Sequence, residues 1–224
     1  MVDDELSAPE RSTGDIVNSI LKAGLSVIPF AGGPAAELFQ FVFQPPLERR
    51  RFEWMVRVGE LLRELKDDGI MIEDLQKNDE FVSTVMHATQ IALRTHQATK
   101  LDALRSAIKN IAKGQAPDET LQNVFLNLID SFNGHHLRIL KVFQEPVVPP
   151  NICMDGLSSV LEHNLPELNG KRELYDQLWK DLYIHGLVST DGLHTTMSRS
   201  VLGQKRTTVL GDSFLKFIDK PKLD

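Results

Sequence analysis

The residues of this sequence best suited to metal binding are its seven histidines. His87 and His96 are nine positions apart, and nine steps along a helix turn the chain by about 900°, so their side chains face opposite ways. His135 and His136 are adjacent on a predicted helix and diverge in the same manner. The other three fall in three separate predicted elements: His163, His185 and His194. We therefore predict ordinary surface or core histidines and no metal site.

Nucleophilic chemistry would have to use Cys153, the one cysteine of the chain. A single thiol forms neither an intramolecular disulfide nor a thiolate cluster, and no Cys–His or G-x-S-x-G pattern accompanies it. We expect Cys153 to be a small buried residue rather than a nucleophile. Asp67 and Asp68 are paired carboxylates in a polar stretch, which is typical of solvated side chains. The sequence thus predicts a protein that is not an enzyme and has no catalytic residues.

A glycine pair, Gly32-Gly33, precedes a predicted helix, and this is a common position for an anion site. Pro34 removes one backbone donor, however, and no Lys-Ser or Lys-Thr pair follows it. We therefore expect no nucleotide loop and no bound cofactor.

Three basic residues could contact nucleic acid: Arg199, Lys205 and Arg206 lie on or beside the turn between two predicted strands, 194–201 and 205–210. Such a turn can contact a phosphate backbone or a minor groove. From residue 151 onward, however, nine basic residues face ten acidic ones, and the whole chain has a net charge of −6. Because DNA-binding domains normally carry a basic surplus, contact with a protein partner is the preferred interpretation and DNA the weaker alternative.

Residues 23–43 form an apolar stretch about as long as a membrane span. Its large members are the candidate membrane or partner contacts Leu25, Phe30, Phe39, Phe41 and Phe43, followed by the basic residues Arg49, Arg50 and Arg51. Pro29, Gly32-Gly33, Pro34 and Glu37 interrupt the stretch, which argues against a permanent span. We expect core helices here, and a segment that enters membranes only conditionally is the alternative.

The chain divides by pattern into three parts. Residues 1–14 are acidic and polar, which predicts a disordered tail and no secretory signal, hence a reducing cytoplasm. Residues 15–145 carry successive helical repeats and predict a bundle of five to seven helices. The proline-rich PVVPPN segment predicts a domain boundary before residues 151–224.

Two amphipathic helices dominate the predicted bundle. In the first, the inner positions are Leu47, Trp54, Met55, Val58, Leu61, Leu62 and Leu65, and Gly69 ends the helix. In the second, begun by Asp79 as N-cap, the buried stripe is Phe81, Val85, Met86, Ala88, Ala92 and Leu93. Asp118 is predicted to cap a later helix, which Asn133-Gly134 breaks or kinks.

Parts of the chain are similar to three groups of known proteins. Gly186-Leu187-Val188 after an amphipathic helix, and then Thr208, Leu210, Gly211, Phe214, Leu215 and Ile218, resemble parts of a winged helix, which implies a small winged-helix-like α+β domain. The pieces AGLSVIPFAGGPAAELFQFVFQPPLERRRFEWM, THQATKLDALRSAIKNIA and HHLRILKVFQEP, over about residues 20–146, resemble an uncharacterised family of bacterial helical proteins. The chain also resembles some bacterial abortive-infection proteins, which likewise join a helical region to a C-terminal GLV…LG-type segment, and this likeness implies a link to phage defence.

The sequence therefore predicts a mainly α fold, with a helical bundle followed by a winged-helix-like module. We expect a non-catalytic bacterial interaction or regulatory protein with a protein partner or self-association. The alternatives are a membrane-active effector linked to phage defence and a DNA-binding transcriptional regulator.

Overall fold

The computed structural model describes residues 44–219, and over this range the chain is mainly helical, as predicted. The described helices are α1 (Gln44–Asp67), α2 (Ile72–Gln76), α3 (Asp79–Arg94), α4 (Ala98–Ala112), α5 (Glu119–Ser131), α6 (Gly134–Val142), α7 (Leu157–Asn164), α8 (Arg172–Ile184), α9 (Arg199–Leu202) and α10 (Val209–Ile218). A 3₁₀ turn, Pro166–Leu168, and two short strands, β1 (Met154–Asp155) and β2 (Met197–Ser198), accompany them.

Helix α1 has one deeply buried side. Trp54, Leu61 and Leu65 lie at steps of seven and four, so they share a face, and all three are buried. The Trp54 indole donates a hydrogen bond of 2.9 Å to the Thr89 hydroxyl on α3. The helix stops as predicted, because Gly69 takes a φ of +85°, a left-handed conformation that favours glycine.

Helix α4 forms the centre of the core, with α3 and α10 packed against it. Its buried side carries Ala103, Leu104, Ala107 and Ile108, and the two alanines let neighbouring helices approach closely. The Asn110 amide also lies on this side. It donates to three backbone carbonyls at the end of α10, those of Lys216, Phe217 and Asp219, at 2.9–3.2 Å.

Side-chain caps define several helix starts. Asp118 accepts a hydrogen bond from the Leu121 amide and caps α5 as predicted. Asn133 caps α6, so the predicted break at Asn133-Gly134 is confirmed. The predicted cap of α3 was one residue too late: Asn78 accepts from the Phe81 amide, and Asp79 is already helical.

The PVVPPN segment lies within one compact unit, which begins at Arg50. Helices on its two sides pack on each other, α4 against α10 and α6 against α8. The Phe125 ring lies 5.3 Å from Phe214 and 5.5 Å from Phe217, and the Phe143 ring lies 4.7 Å from Trp179. Aromatic side chains from before and after the prolines therefore share one core.

The two segments predicted as a strand pair, 194–201 and 205–210, take different partners. Met197–Ser198 pairs antiparallel with β1, while Thr207 bridges to Val188. Residues from Arg199 onward are helical rather than extended, because the Arg199 amide donates to the Cys153 carbonyl and the chain turns there into α9. The described residues confirm a mainly α fold, whereas the winged-helix arrangement is not confirmed.

Candidate interaction surface

Four large apolar side chains of α1 are exposed to solvent. Leu47, predicted as an inner position, is one of them at 48%, so that prediction was wrong. Phe52 is 70% exposed, Met55 57% and Val56 43%. The solvent-facing side of an amphipathic helix usually carries polar residues instead. Met55 was predicted to be buried, and this was wrong, because its position lies about 100° around the helix from Trp54. Met86 on α3 was likewise predicted to be buried and is 61% exposed.

A groove of about 590 Å³ runs beside these side chains, between α1 and α4. Its lining combines apolar and charged groups: Phe52, Glu53, Val56, Arg57, Glu60, Asp102, Arg105 and Ser106. The Arg57 guanidinium and the Asp102 carboxylate form an ion pair of 2.8 Å across it. The groove is therefore suited to a side chain, or to one side of a helix, that carries both apolar and polar groups.

Charged residues further along α1 bind α4. Glu64 pairs with Arg105 at 2.5 Å and with Lys109 at 3.2 Å, and Asp68 pairs with Lys113 at 2.9 Å. Burial raises the pKa of Glu64, but the hydrogen bond from Lys109 and the charge of Arg105 outweigh it, so the pKa is lowered. This network fixes α1 on α4 and holds the exposed apolar face in position.

The same helix contains an unusual glycine. Gly59 lies in the middle of α1, where glycine is about 1 kcal/mol less favourable than alanine. Within the described part of the chain, a Cβ placed on Gly59 would have no atom within 4 Å beyond its neighbours and the helix's own backbone. Its φ is also not in the left-handed range. The fold of residues 44–219 thus gives no reason for a glycine here.

The predicted arginine cluster lies on the first turns of α1. Arg49 and Arg51 are exposed and Arg50 is half-buried. The apolar candidates that precede the cluster, Leu25, Phe30, Phe39, Phe41 and Phe43, lie outside the described residues. The sequence prediction did not include Phe52 and Val56. The pattern that could have indicated them is the presence of apolar residues on two opposite faces of the same helix.

The three basic residues predicted to contact nucleic acid each engage a different partner inside the protein. The Arg199 guanidinium donates to the backbone carbonyls of Pro149, Pro150 and Ile152 at 2.7, 2.9 and 3.2 Å. Lys205 pairs with Asp212.

Arg206 is only 9% exposed and donates to the Val201 carbonyl at 2.6 Å. Its Nε is buried and has no hydrogen-bond partner within the described residues, and burial lowers the pKa of the guanidinium. The structure therefore does not gather Arg199, Lys205 and Arg206 on one basic surface.

Cys153 is exposed, and the expectation of a buried thiol was wrong. It lies in the connection just before β1, where its carbonyl accepts a hydrogen bond from the Arg199 amide at the start of α9. No group of three or more His, Cys, Asp or Glu side chains between residues 44 and 219 is arranged to hold a metal ion.

One histidine occupies a buried polar site. His136 is 5% exposed, and its ring stacks on Phe132 at 4.6 Å. Its Nδ1 accepts the Asn133 amide at 3.1 Å, so Nε2 carries the proton and donates to the Asp181 carboxylate at 3.2 Å. Burial lowers the pKa of His136, and the hydrogen bond to Asp181 opposes this only in part.

None of the helices between residues 44 and 219 combines the length and apolar character that crossing a bilayer demands. Comparisons of the chain with protein-family models, with curated proteins and with solved structures found no match.

Proposed function

We propose that this protein is a non-catalytic interaction protein that binds a macromolecular partner through the exposed apolar face of α1. The observation that carries the proposal is the exposure of Phe52, Met55 and Val56 on adjacent turns of a helix whose opposite side is fixed in the core. Apolar patches of this kind on a soluble surface mark contact sites, because exposed aromatic and aliphatic side chains gain free energy when a partner covers them.

The adjoining groove supports a protein partner rather than a polyanion. Glu53, Glu60 and Asp102 stand beside its two arginines, Arg57 and Arg105, so the groove has no basic surplus. A mixed rim around an apolar centre is typical of protein–protein interfaces.

Residues 151–224 offer a second surface for the same function. Ile184 is 66% exposed and Val209 87%, and the Thr208 hydroxyl donates to the Gly186 carbonyl between them. We propose a winged-helix-like protein-contact module here. DNA binding and a membrane-active role in phage defence stay predictions, the second because residues 23–43 lie outside the described range.

Site-specific photo-crosslinking tests the α1 surface. A photoreactive amino acid replaces Phe52 in one variant and the exposed Glu73 of α2 in a control, in the full chain expressed in its own host cells. We expect a discrete crosslinked product from position 52 and none from position 73. Equal labelling at both positions, or no product from position 52 at any expression level, would contradict the proposal.

A further inference from the structure

The outermost line of α1 has a symmetric spacing. Phe52, Val56, Gly59 and Arg63 follow one another at steps of four, three and four. At about 100° per residue, all four lie within about 40° of the line opposite the buried Trp54. We call these four residues the outer stripe.

The outer stripe is complementary to itself when one copy is reversed. A two-fold axis midway between Val56 and Gly59 places Phe52 of one copy opposite Arg63 of the other, and Val56 opposite Gly59. The guanidinium of an exposed arginine is attracted to an aromatic face, and a valine side chain fills the space that a glycine leaves. We propose that a second copy of this chain packs on the outer stripe, with the two α1 helices antiparallel.

Gly59 supports this occupant independently of the exposed side chains. Within the described residues it is required neither by backbone conformation nor by a close neighbour, yet it weakens the helix. A glycine on an outward helix face lets another helix approach closely. Close packing of a partner helix on α1 therefore explains why a glycine occupies this position.

Charge favours a second copy over a lipid surface or a nucleic acid. Arg63 is the only basic member of the outer stripe, and the acidic Glu53 and Glu60 lie along one side of it, with Arg57 between them in the sequence. The full chain carries a net charge of −6, which repels anionic headgroups and phosphates. A contact of about three helical turns is small, so we expect a weak, concentration-dependent dimer.

This inference rests on the proposed function, and its tests separate the two. Sedimentation velocity of the full chain from about 1 to about 500 µM is expected to show a reversible monomer–dimer equilibrium. Gly59→Leu should weaken the dimer at least about tenfold, since the leucine occupies the space for Val56 of the other copy. Gly192→Leu is the matched control, because a Cβ at Gly192 also has no neighbour within 4 Å in the described structure.

Folding is measured beside association, so that a misfolded variant is recognised. Gly59→Ala should raise the thermal unfolding midpoint and still weaken the dimer, because the helix gains a better residue while the gap is filled. A dimer constant that Gly59→Leu and Gly59→Ala leave unchanged would overturn the inference, as would a monomer at every concentration.

Disulfide crosslinking tests the antiparallel register in a Cys153→Ser background. Phe52→Cys and Arg63→Cys proteins should crosslink when mixed and not when each is oxidised alone, because like positions lie about 16 Å apart along two antiparallel helices. Crosslinking of Phe52→Cys with itself indicates a parallel pair and overturns the arrangement. A monomer that still gives a photo-crosslink to another protein from position 52 overturns the self-association and leaves the proposed function standing.

Discussion

At the residue scale, Arg206 shows how a basic side chain can serve the fold instead of a ligand. Its guanidinium donates to the Val201 carbonyl and its backbone amide donates to the Phe143 carbonyl. Its own carbonyl accepts a hydrogen bond from the Ser189 amide. A single residue thus ties α9, the end of α6 and the loop after α8 together. Sequence alone could not separate this role from DNA contact, since both use an arginine beside a turn.

We expect Arg206→Ala to lower the free energy of unfolding by about 1–3 kcal/mol, because it removes the hydrogen bond to the Val201 carbonyl and opens a cavity. Arg206→Met should be less damaging, since it keeps the volume and removes a buried cation. Urea denaturation measures both. Lys205→Ala, which breaks only the ion pair with Asp212, is the control and should change stability by less than about 1 kcal/mol.

The buried His136 gives the protein a pH dependence with a definite sign. Its pKa is lowered in the folded state, so the unfolded chain binds more protons between the folded pKa and about 6.5. Stability should therefore fall as pH drops from about 6.5 through the lowered pKa. The lowered pKa values of Glu64, Asp68, Asp155 and Asp212 act mainly below about pH 5.

Replacing His136 by Gln should flatten this dependence. We expect the difference in free energy of unfolding between about pH 7.5 and pH 5.5 to shrink, measured by chemical denaturation at each pH. The exposed His163→Gln protein serves as the control and should keep the dependence of the parent. An unchanged slope in His136→Gln would assign the effect to other groups.

At the element scale, the N-terminal turn of α10 is defined by a close backbone approach. A Cβ on Gly211 would lie 2.2 Å from the Leu187 carbonyl oxygen, closer than any real contact. That carbonyl accepts the Thr208 amide at 3.0 Å, and the Thr208 hydroxyl caps α10 through the Gly211 amide. The absence of a side chain at Gly211 therefore allows the Leu187 backbone, just after α8, to lie against the first turn of α10.

Gly211→Ala should separate α10 from the Leu187 segment and lower the free energy of unfolding by about 2–4 kcal/mol. Differential scanning calorimetry gives the unfolding midpoint. The control is Gly203→Ala, whose added Cβ meets Val148 at an ordinary 3.5 Å. Similar midpoints for the two variants would show that the backbone around residue 187 can move away without loss.

At the scale of the whole molecule, the shared core predicts that the residues before and after PVVPPN unfold together. The two tryptophans of the chain, Trp54 and Trp179, are both buried and lie on opposite sides of that segment. Asn110 joins the same two parts through its bonds to the end of α10. Fluorescence of single-tryptophan proteins therefore reports each part separately.

We expect Asn110→Ala to lower the free energy of unfolding by about 1–3 kcal/mol, and by the same amount in the Trp54→Phe and Trp179→Phe backgrounds. The variant removes the hydrogen bonds that join α4 to the end of α10, so both parts should lose the same stability. A shift seen by one tryptophan only would indicate two independently unfolding domains, as the prolines alone predict.

Local patterns were enough to predict the longer helices, whereas α9 lies where a strand was predicted. The buried repeat Trp54–Leu61–Leu65, the stop at Gly69, the Asp118 cap and the break at Asn133-Gly134 each depend on residues a few positions apart, and each is confirmed. Capping and helical periodicity act over one or two turns, so the sequence by itself determines them.

Tertiary structure decided the surfaces. Whether Met86 faces the core, whether Cys153 is buried and whether Arg206 is available to a ligand all depend on which distant segment packs against them. The pairing of β2 with β1, rather than with the segment that follows it, has the same cause. Contacts between residues far apart in the chain are set by packing of the whole core, which no local pattern encodes.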